Sequence, residues 1–238
     1  MKKKYIALFI GISLFSVLML HNRMRNYLIE LGSFSYTFVM NPTKIGSFIP
    51  SSPYLSESMT RHITSKTKDK PIKVLEVGAG TGVITEKILE RIGTDDLVDI
   101  IELDPILCGI LEKKFNKYKN LQVRCMSILD WDPAYQYDFI VSALPFNAFE
   151  SVLVAAILEK YKKLIKPDGI ITYFEYIWLY DIKKFFLSGD QEIDFIATLD
   201  ITTAFRDRFG FDTDIILLNI PPAYVYSLRV PIEKQKQE

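Results

Sequence analysis

A short apolar strand that runs straight into a glycine-rich turn constrains this chain more than any other feature. Val74-Leu75-Glu76-Val77 is followed at once by Gly78-Ala79-Gly80-Thr81-Gly82 and then by a helical pattern. Glycines at such a junction let the backbone bend sharply and leave bare main chain for a ligand to lie against. A second apolar run, Val98-Asp99-Ile100-Ile101, ends in Glu102. It falls about 20 residues beyond the loop, where a strand-end carboxylate meets an adenosine ribose. The loop is spaced G-x-G-x-G rather than G-x-G-x-x-G. That spacing turns the expectation from a nicotinamide cofactor to S-adenosyl-L-methionine.

The 238 residues, 49% of them hydrophobic, suit one domain with a sizeable core. Lysine and arginine number 29, and so do aspartate and glutamate. Proteins that grip bulk nucleic acid usually carry a basic excess, so a nucleic-acid partner is not expected. Cys108 and Cys125 stand in segments that read as buried, and the expectation is two reduced core thiols. His21 and His62 are the only histidines. With so few, neither a zinc site nor a Ser-His-Asp triad is expected, and no metal is expected.

The N-terminus departs from a soluble domain. Met1-Lys2-Lys3-Lys4 precedes an uncharged, almost wholly apolar stretch over residues 5–20. It is short for a spanning helix, which needs about 20 residues. No small-residue cleavage site follows, since the next residues are His21-Asn22-Arg23-Met24-Arg25. An uncleaved anchor or deeply embedded helix is expected, with a cleaved signal peptide as the alternative. Tyr27, Leu31, Phe34 and Phe38 then recur at helical spacing, as in an amphipathic helix at a membrane interface or on the domain core. The organisation expected is therefore an anchor and amphipathic helix over 1–40, a catalytic domain over 41–230 and a polar tail over 231–238.

Within the domain, strands and helices alternate. Helix 54–63 precedes strand 73–77, helix 82–92, strand 98–102, helix 105–115, strand 121–124, strand 139–142, helix 149–164 and strand 170–176. A short helix is expected around 182–187. Strands 215–220 and 223–229, joined at Pro221-Pro222, close the chain as an antiparallel hairpin. This predicts an α/β fold with a Rossmann-like, doubly wound sheet, mostly parallel, with the hairpin at its edge and an N-terminal membrane-associated helix.

Residues 41–230 resemble the class I S-adenosylmethionine-dependent methyltransferases, and within them the bacterial phospholipid N-methyltransferases. Four segments carry the likeness. Asn41-Pro42 through Gly46-Ser47-Phe48-Ile49-Pro50-Ser51-Ser52 resembles their N-P-x-x-x-G-[AS]-x-x-P-[ST]-S lead-in. Leu75 to Thr85 is similar to their glycine loop. Ser142-Ala143-Leu144-Pro145-Phe146 resembles their S-G-L-P segment, and Asn219-Ile220-Pro221-Pro222-Ala223 their N-[LI]-P-P-A hairpin. The same segments look like the ribosomal RNA adenine dimethyltransferases, whose fourth-strand motif is [ND]-L-P-[YF]-N. Here Ala143 stands where the polar residue is expected, which favours lipid over RNA.

The resemblance implies methyl transfer from S-adenosyl-L-methionine to an amine of a phosphatidylethanolamine-type phospholipid, at the membrane, with the domain facing the cytoplasm. An RNA adenine methyltransferase, a small-molecule methyltransferase and a non-catalytic membrane assembly factor remain as alternatives. The implied cofactor contacts are Ser51, Glu76, Gly78, Ala79, Gly80, Thr81, Gly82, Glu102, Leu103, Ser127, Ile128 and Ser142. Glu102 would accept the ribose hydroxyls, Leu103 would lie on the adenine, and Ser127 replaces the aspartate of the usual G-D-A-x segment. Asp104-Pro105 reads as a helix cap. Leu144, Pro145, Asn147, Tyr173 and Glu175 are the candidates for aligning and deprotonating the amine.

Overall fold

The computed structural model describes residues 51–64, 70–177 and 187–231. The expectations for residues 1–50, for nearly all of the helix around 182–187 and for most of the tail lie outside them. Among the described residues no helix is long and apolar enough to cross a membrane.

The elements in order are α1 (Pro53–Thr60), β1 (Lys73–Val77), α2 (Val83–Arg91), β2 (Leu97–Glu102), α3 (Pro105–Phe115), β3 (Leu121–Cys125) and β4 (Tyr137–Ser142). A 3-10 turn (Phe146–Ala148), α4 (Ser151–Leu164), β5 (Ile165–Tyr176), α5 (Asp190–Phe209), β6 (Gly210–Ile216) and β7 (Ala223–Arg229) follow. The strands form a 7-stranded sheet in the order β3-β2-β1-β4-β5-β7-β6. The first five run parallel, and β7 pairs antiparallel with both β5 and β6. The expected mostly parallel sheet with an antiparallel C-terminal hairpin is what the chain forms.

Strands buried on both faces read as continuous apolar runs, and β1 and β2 do so. Leu75 and Val77 join Ile140, Val154, Ile157, Tyr161, Phe205 and Phe209 on one face. Val74 and Ile100 join Leu55, Met59, Ile84, Ile88, Leu111 and Phe115 on the other. Helices α4 and α5 thus cover one side, and α1, α2 and α3 the other. Asp104 caps α3, accepting from the Ile106 and Leu107 amides at 2.8 and 3.3 Å. Pro105 sits in the first turn, as its missing N–H allows.

Three readings need correction. The segment 190–209 carried no expected helix, yet α5 occupies it. Its buried residues are Phe195, Thr198, Thr202, Phe205 and Phe209, spaced three and four apart as a helical stripe requires. Two of the five are threonines, while Ile193 and Ile196 are exposed, so apolar residues alone conceal the stripe. The strand placed at 215–220 begins instead at Gly210. As an edge strand it has polar residues: Asp212 and Asp214 pair with Arg61, and Leu217 and Leu218 form an exposed turn.

The cysteines are not reduced core thiols. Cys108 and Cys125 form a disulfide, with Cα atoms 5.8 Å apart. Parallel pairing sets Cys125 opposite Glu102, at the strand end from which α3 begins. There it faces Cys108, and it is exposed although Cys108 is buried. In the chain-entropy view, closing a loop of 17 residues contributes about 3 kcal/mol.

Phe205→Ala should destabilise the domain by about 3 kcal/mol, read as a lower midpoint in urea. Ile193→Ala on the exposed side of the same helix should change it by less than about 0.5 kcal/mol.

Candidate active site

The strand order reverses between β1 and β4. Open α/β sheets bind ligands at such a point, beyond the carboxyl ends of the strands. Two backbone hydrogen bonds fix the ends. The Gly78 amide donates to the Ile101 carbonyl at 2.8 Å, and the Ala143 amide to the Val77 carbonyl at 2.8 Å. The two loops touch at Gly78. It has a φ of +75°, and a Cβ there would lie 2.7 Å from Leu144 Cδ2. Only glycine permits both the conformation and the approach.

A cavity of about 440 Å³ opens at this point. Val77, Gly78 and Ile101 form its floor. Glu102, Leu103, Asp104 and Leu107 form one wall, and Met126, Ser127, Ile128 and Leu129 another. Ala143, Leu144, Pro145, Phe149, Leu153 and Ile157 complete it. The lining thus brings together Gly78, Glu102, Leu103, Ser127, Ile128, Leu144 and Pro145 of the residues singled out in the sequence.

Glu102 joins the glycine loop to the second wall. Its Oε2 accepts from the Gly80 amide at 2.9 Å, and its Oε1 from the Leu103 and Asp104 amides at 2.8 and 3.0 Å. Three backbone donors hold the carboxylate in one orientation, 8% exposed, against the cavity. Ser127 Oγ accepts from the Leu129 amide at 3.2 Å. The segment beyond it is pinned where Trp131 Nε1 donates to Tyr137 Oη at 2.9 Å. Tyr137 and Tyr135 in turn donate to buried Asp99.

Glu76 is fully buried between β1 and the first turn of α2. Its Oε2 accepts from Thr85 Oγ1 at 2.6 Å, and its Oε1 has no hydrogen-bond partner among the described residues. Burial pushes its carboxyl up to about 8, against the hydrogen bond from Thr85.

Other singled-out residues stand outside the lining. Ser51 precedes the α1 cap, where the Ser52 amide donates to Asn219 Oδ1 at 3.0 Å. Ala79, Gly80, Thr81 and Gly82 complete the glycine loop, and Lys114 Nζ donates to the Thr81 carbonyl at 2.8 Å. Ser142 is buried and accepts from Tyr161 Oη at 2.9 Å. Asn147, also buried, donates through Nδ2 to the Tyr176 carbonyl at 3.2 Å, tying the Leu144-Pro145 segment to the end of β5. Tyr173 pairs with Ser142 across the sheet and packs on Phe146 and Tyr226. Burial, with Glu175 nearby, holds its hydroxyl well above the usual tyrosine range. Glu175 is buried and ion-paired with Arg206 at 2.9 Å, and burial raises its carboxyl against the pull of that guanidinium.

Sequence reasoning missed the apolar walls: Leu107, Met126, Leu129, Phe149, Leu153 and Ile157. Their signal is position alone: Leu107 in the helix after β2, Met126 and Leu129 just after β3, and Phe149, Leu153 and Ile157 after β4.

The strand order, the glycine loop and the carboxylate at the tip of β2 make this an S-adenosylmethionine-dependent methyltransferase. Residues 43–168 match the ribosomal RNA adenine dimethylase family, and the chain belongs to that family. It is 30% identical over 213 residues to the ornithine lipid N-methyltransferase of Singulisphaera acidiphila, spanning 87% of this chain and 97% of that protein. A probable ribosomal RNA small subunit methyltransferase A of Methanosarcina barkeri is 33% identical over 100 residues, which are 42% of this chain and 32% of that protein. Among solved structures, the N-methyltransferase NodS of Bradyrhizobium japonicum in complex with S-adenosyl-L-homocysteine shares the fold. Its TM-score is 0.56 at 16% identity, over 76% of this chain and 89% of that one.

The buried acid gives a pH signature. The Glu76 carboxyl rises from 4.5 to about 8 on folding. Between those values the native state holds a proton that the unfolded chain has lost, so this group's contribution to stability falls as pH rises. Glu76→Gln, which cannot ionise, should gain stability relative to the parent as pH rises from about 5 to about 8. Thermal melts of the cofactor-free protein across that range check it. Gly78→Ala should weaken binding of S-adenosyl-L-homocysteine about tenfold in calorimetry, because alanine is strained at a φ of +75° and its methyl presses on the Leu144 side chain.

Proposed function

We propose that this chain transfers methyl groups from S-adenosyl-L-methionine to the primary amine of a membrane lipid, phosphatidylethanolamine-type phospholipids foremost. What carries the reading is the match, along almost the whole of both chains, to a lipid N-methyltransferase. Two features support it. The cavity is flanked by exposed apolar side chains, Leu103 at 69%, Ile106 at 75% and Val152 at 79%, a rim suited to a lipid interface. The chain's charge is balanced, with no basic excess to draw RNA.

The residues present fit the cofactor. Glu102 would hold the ribose, Leu103, Ser127 and Ile128 the adenine, and the glycine loop from Gly78 to Gly82 the methionine end. The unpartnered Glu76 Oε1 beneath that loop suits its cationic groups, which would favour the ionised form of an otherwise protonated acid. When bound, the cofactor supplies a methyl group on a sulfonium, an excellent leaving group. The chain's own work is then alignment, exclusion of water and removal of a proton from the incoming ammonium. Backbone carbonyls at Leu144 and Pro145 would orient the amine and Asn147 would position that segment. Glu175, neutralised by Arg206, would act from behind Tyr173 rather than on the substrate. The apolar run over residues 5–20 would keep the chain at the membrane, with the domain on the cytoplasmic side where the cofactor is made.

The test is transfer of labelled methyl to vesicles containing phosphatidylethanolamine, with ornithine lipid vesicles and undermodified ribosomal RNA as separate arms. Label in phosphatidylethanolamine, reduced at least about 100-fold by Glu102→Ala, is the expected result. Label confined to ornithine lipid would keep the lipid amine and move the headgroup. Label in the RNA alone, to which the family match lends weight, would overturn the lipid reading. The double variant Ile106→Glu, Val152→Glu should cut transfer to vesicles about tenfold or more while leaving S-adenosyl-L-homocysteine affinity unchanged.

A further inference from the structure

We propose that the Cys108–Cys125 disulfide is a redox-operated clamp on the cofactor cavity, closing its walls when oxidised and loosening them when a dithiol reductant opens it. The inference rests on assigning that cavity to the cofactor.

The bond lies between the two wall segments. Cys108 follows Leu107, and Cys125 precedes Met126; Leu107 and Met126 both line the cavity. One segment carries Glu102 and Leu103, the other Ser127 and Ile128. Where the β2–β3 ladder ends, the Glu102 carbonyl makes the noncovalent link to the second wall and also touches the first. It accepts from the Met126 amide at 2.9 Å and lies 3.5 Å from Cys108 Sγ. Among the described residues β3 is the edge strand, and no described strand supports Cys125 from outside. Opening the bond leaves the second wall held by the β2 pairing and by the Trp131 anchor at its far end. Such a segment opens locally at a fraction of the cost of global unfolding.

The chemistry is accessible from one side. Cys108 is 3% exposed, whereas Cys125 is exposed. A thiolate of the dithiol attacks Cys125 Sγ, expelling the Cys108 thiolate and leaving a mixed disulfide. The reductant's second thiol displaces Cys125 and closes its own disulfide. Two electrons pass from the dithiol to the protein, and each cysteine takes up a proton as it becomes a thiol. The Cys108 thiol then has the Glu102 carbonyl beside it as an acceptor. Disulfides met in reducing compartments are usually of this switching kind.

The test measures S-adenosyl-L-homocysteine binding to the full chain by calorimetry, after oxidation and after treatment with dithiothreitol, with thiols counted in each state. Binding weaker by about 5-fold or more in the reduced form, restored by reoxidation, is the expected result. Cys108→Ser, Cys125→Ser should bind like the reduced form and ignore dithiothreitol. Hydrogen exchange should rise on reduction over residues 103–108 and 125–130 alone. Equal affinity in the two states, failure of the thiols to pair under oxidant, or loss of global circular dichroism on reduction would overturn the clamp. Binding to the oxidised protein that is indifferent to Glu102→Ala would instead overturn the cavity assignment.

Discussion

Everything at the carboxyl edge of this sheet depends on how one carboxylate is held. Glu102 ends β2, where the chain must turn into α3, and its two oxygens absorb three backbone amides. Gly80 belongs to the loop after β1, and Leu103 and Asp104 to the turn after β2. A single side chain therefore ties the two loops together, beside the Gly78 to Ile101 backbone bond at their base. Because the donors are backbone groups, their positions follow from the strand register rather than from any rotamer. The carboxylate thereby lines the cavity with both oxygens satisfied, whereas Glu76 and Glu175 are buried elsewhere in the sheet.

Those two buried acids show opposite solutions to the same cost. Glu175 keeps a guanidinium against it, so its charge is compensated inside the protein. Glu76 has only a hydroxyl, and one oxygen faces no donor among the described residues. A core built for stability alone would not leave a carboxyl in that state, since an unsatisfied buried polar atom costs about 1–3 kcal/mol. Strained or orphaned groups collect at functional sites, and here the orphan belongs to β1, two residues before the glycine loop.

Much of this was legible in the residues. β1 and α3 have the bounds read from the sequence, because a continuous apolar run before glycines and an Asp-Pro cap leave few choices. The loop and Glu102 were legible for the same reason: special backbone geometry demands particular residue types. The apolar walls were not, since Leu107, Phe149 and Leu153 look like any core residues until the sheet places them. α5 escaped because threonines at 198 and 202 face the core and isoleucines at 193 and 196 face outward. The disulfide escaped because it is written in the pairing of β2 with β3, and a register is invisible to a reading of one segment at a time.

The hydrogen bond from the Ser52 amide to Asn219 spans 167 residues. Asn219 also donates to the Pro221 carbonyl, at the turn into the strand that completes the sheet. The cap of the first described helix thus shares a side chain with the last hairpin, and β5 finds its outer neighbour only when β7 arrives. A chain leaving the ribosome N-terminus first would expose the β5 edge and the start of α1 until nearly all of the domain had emerged. In the interval between making β5 and making β7, that unpaired edge is open to mispairing.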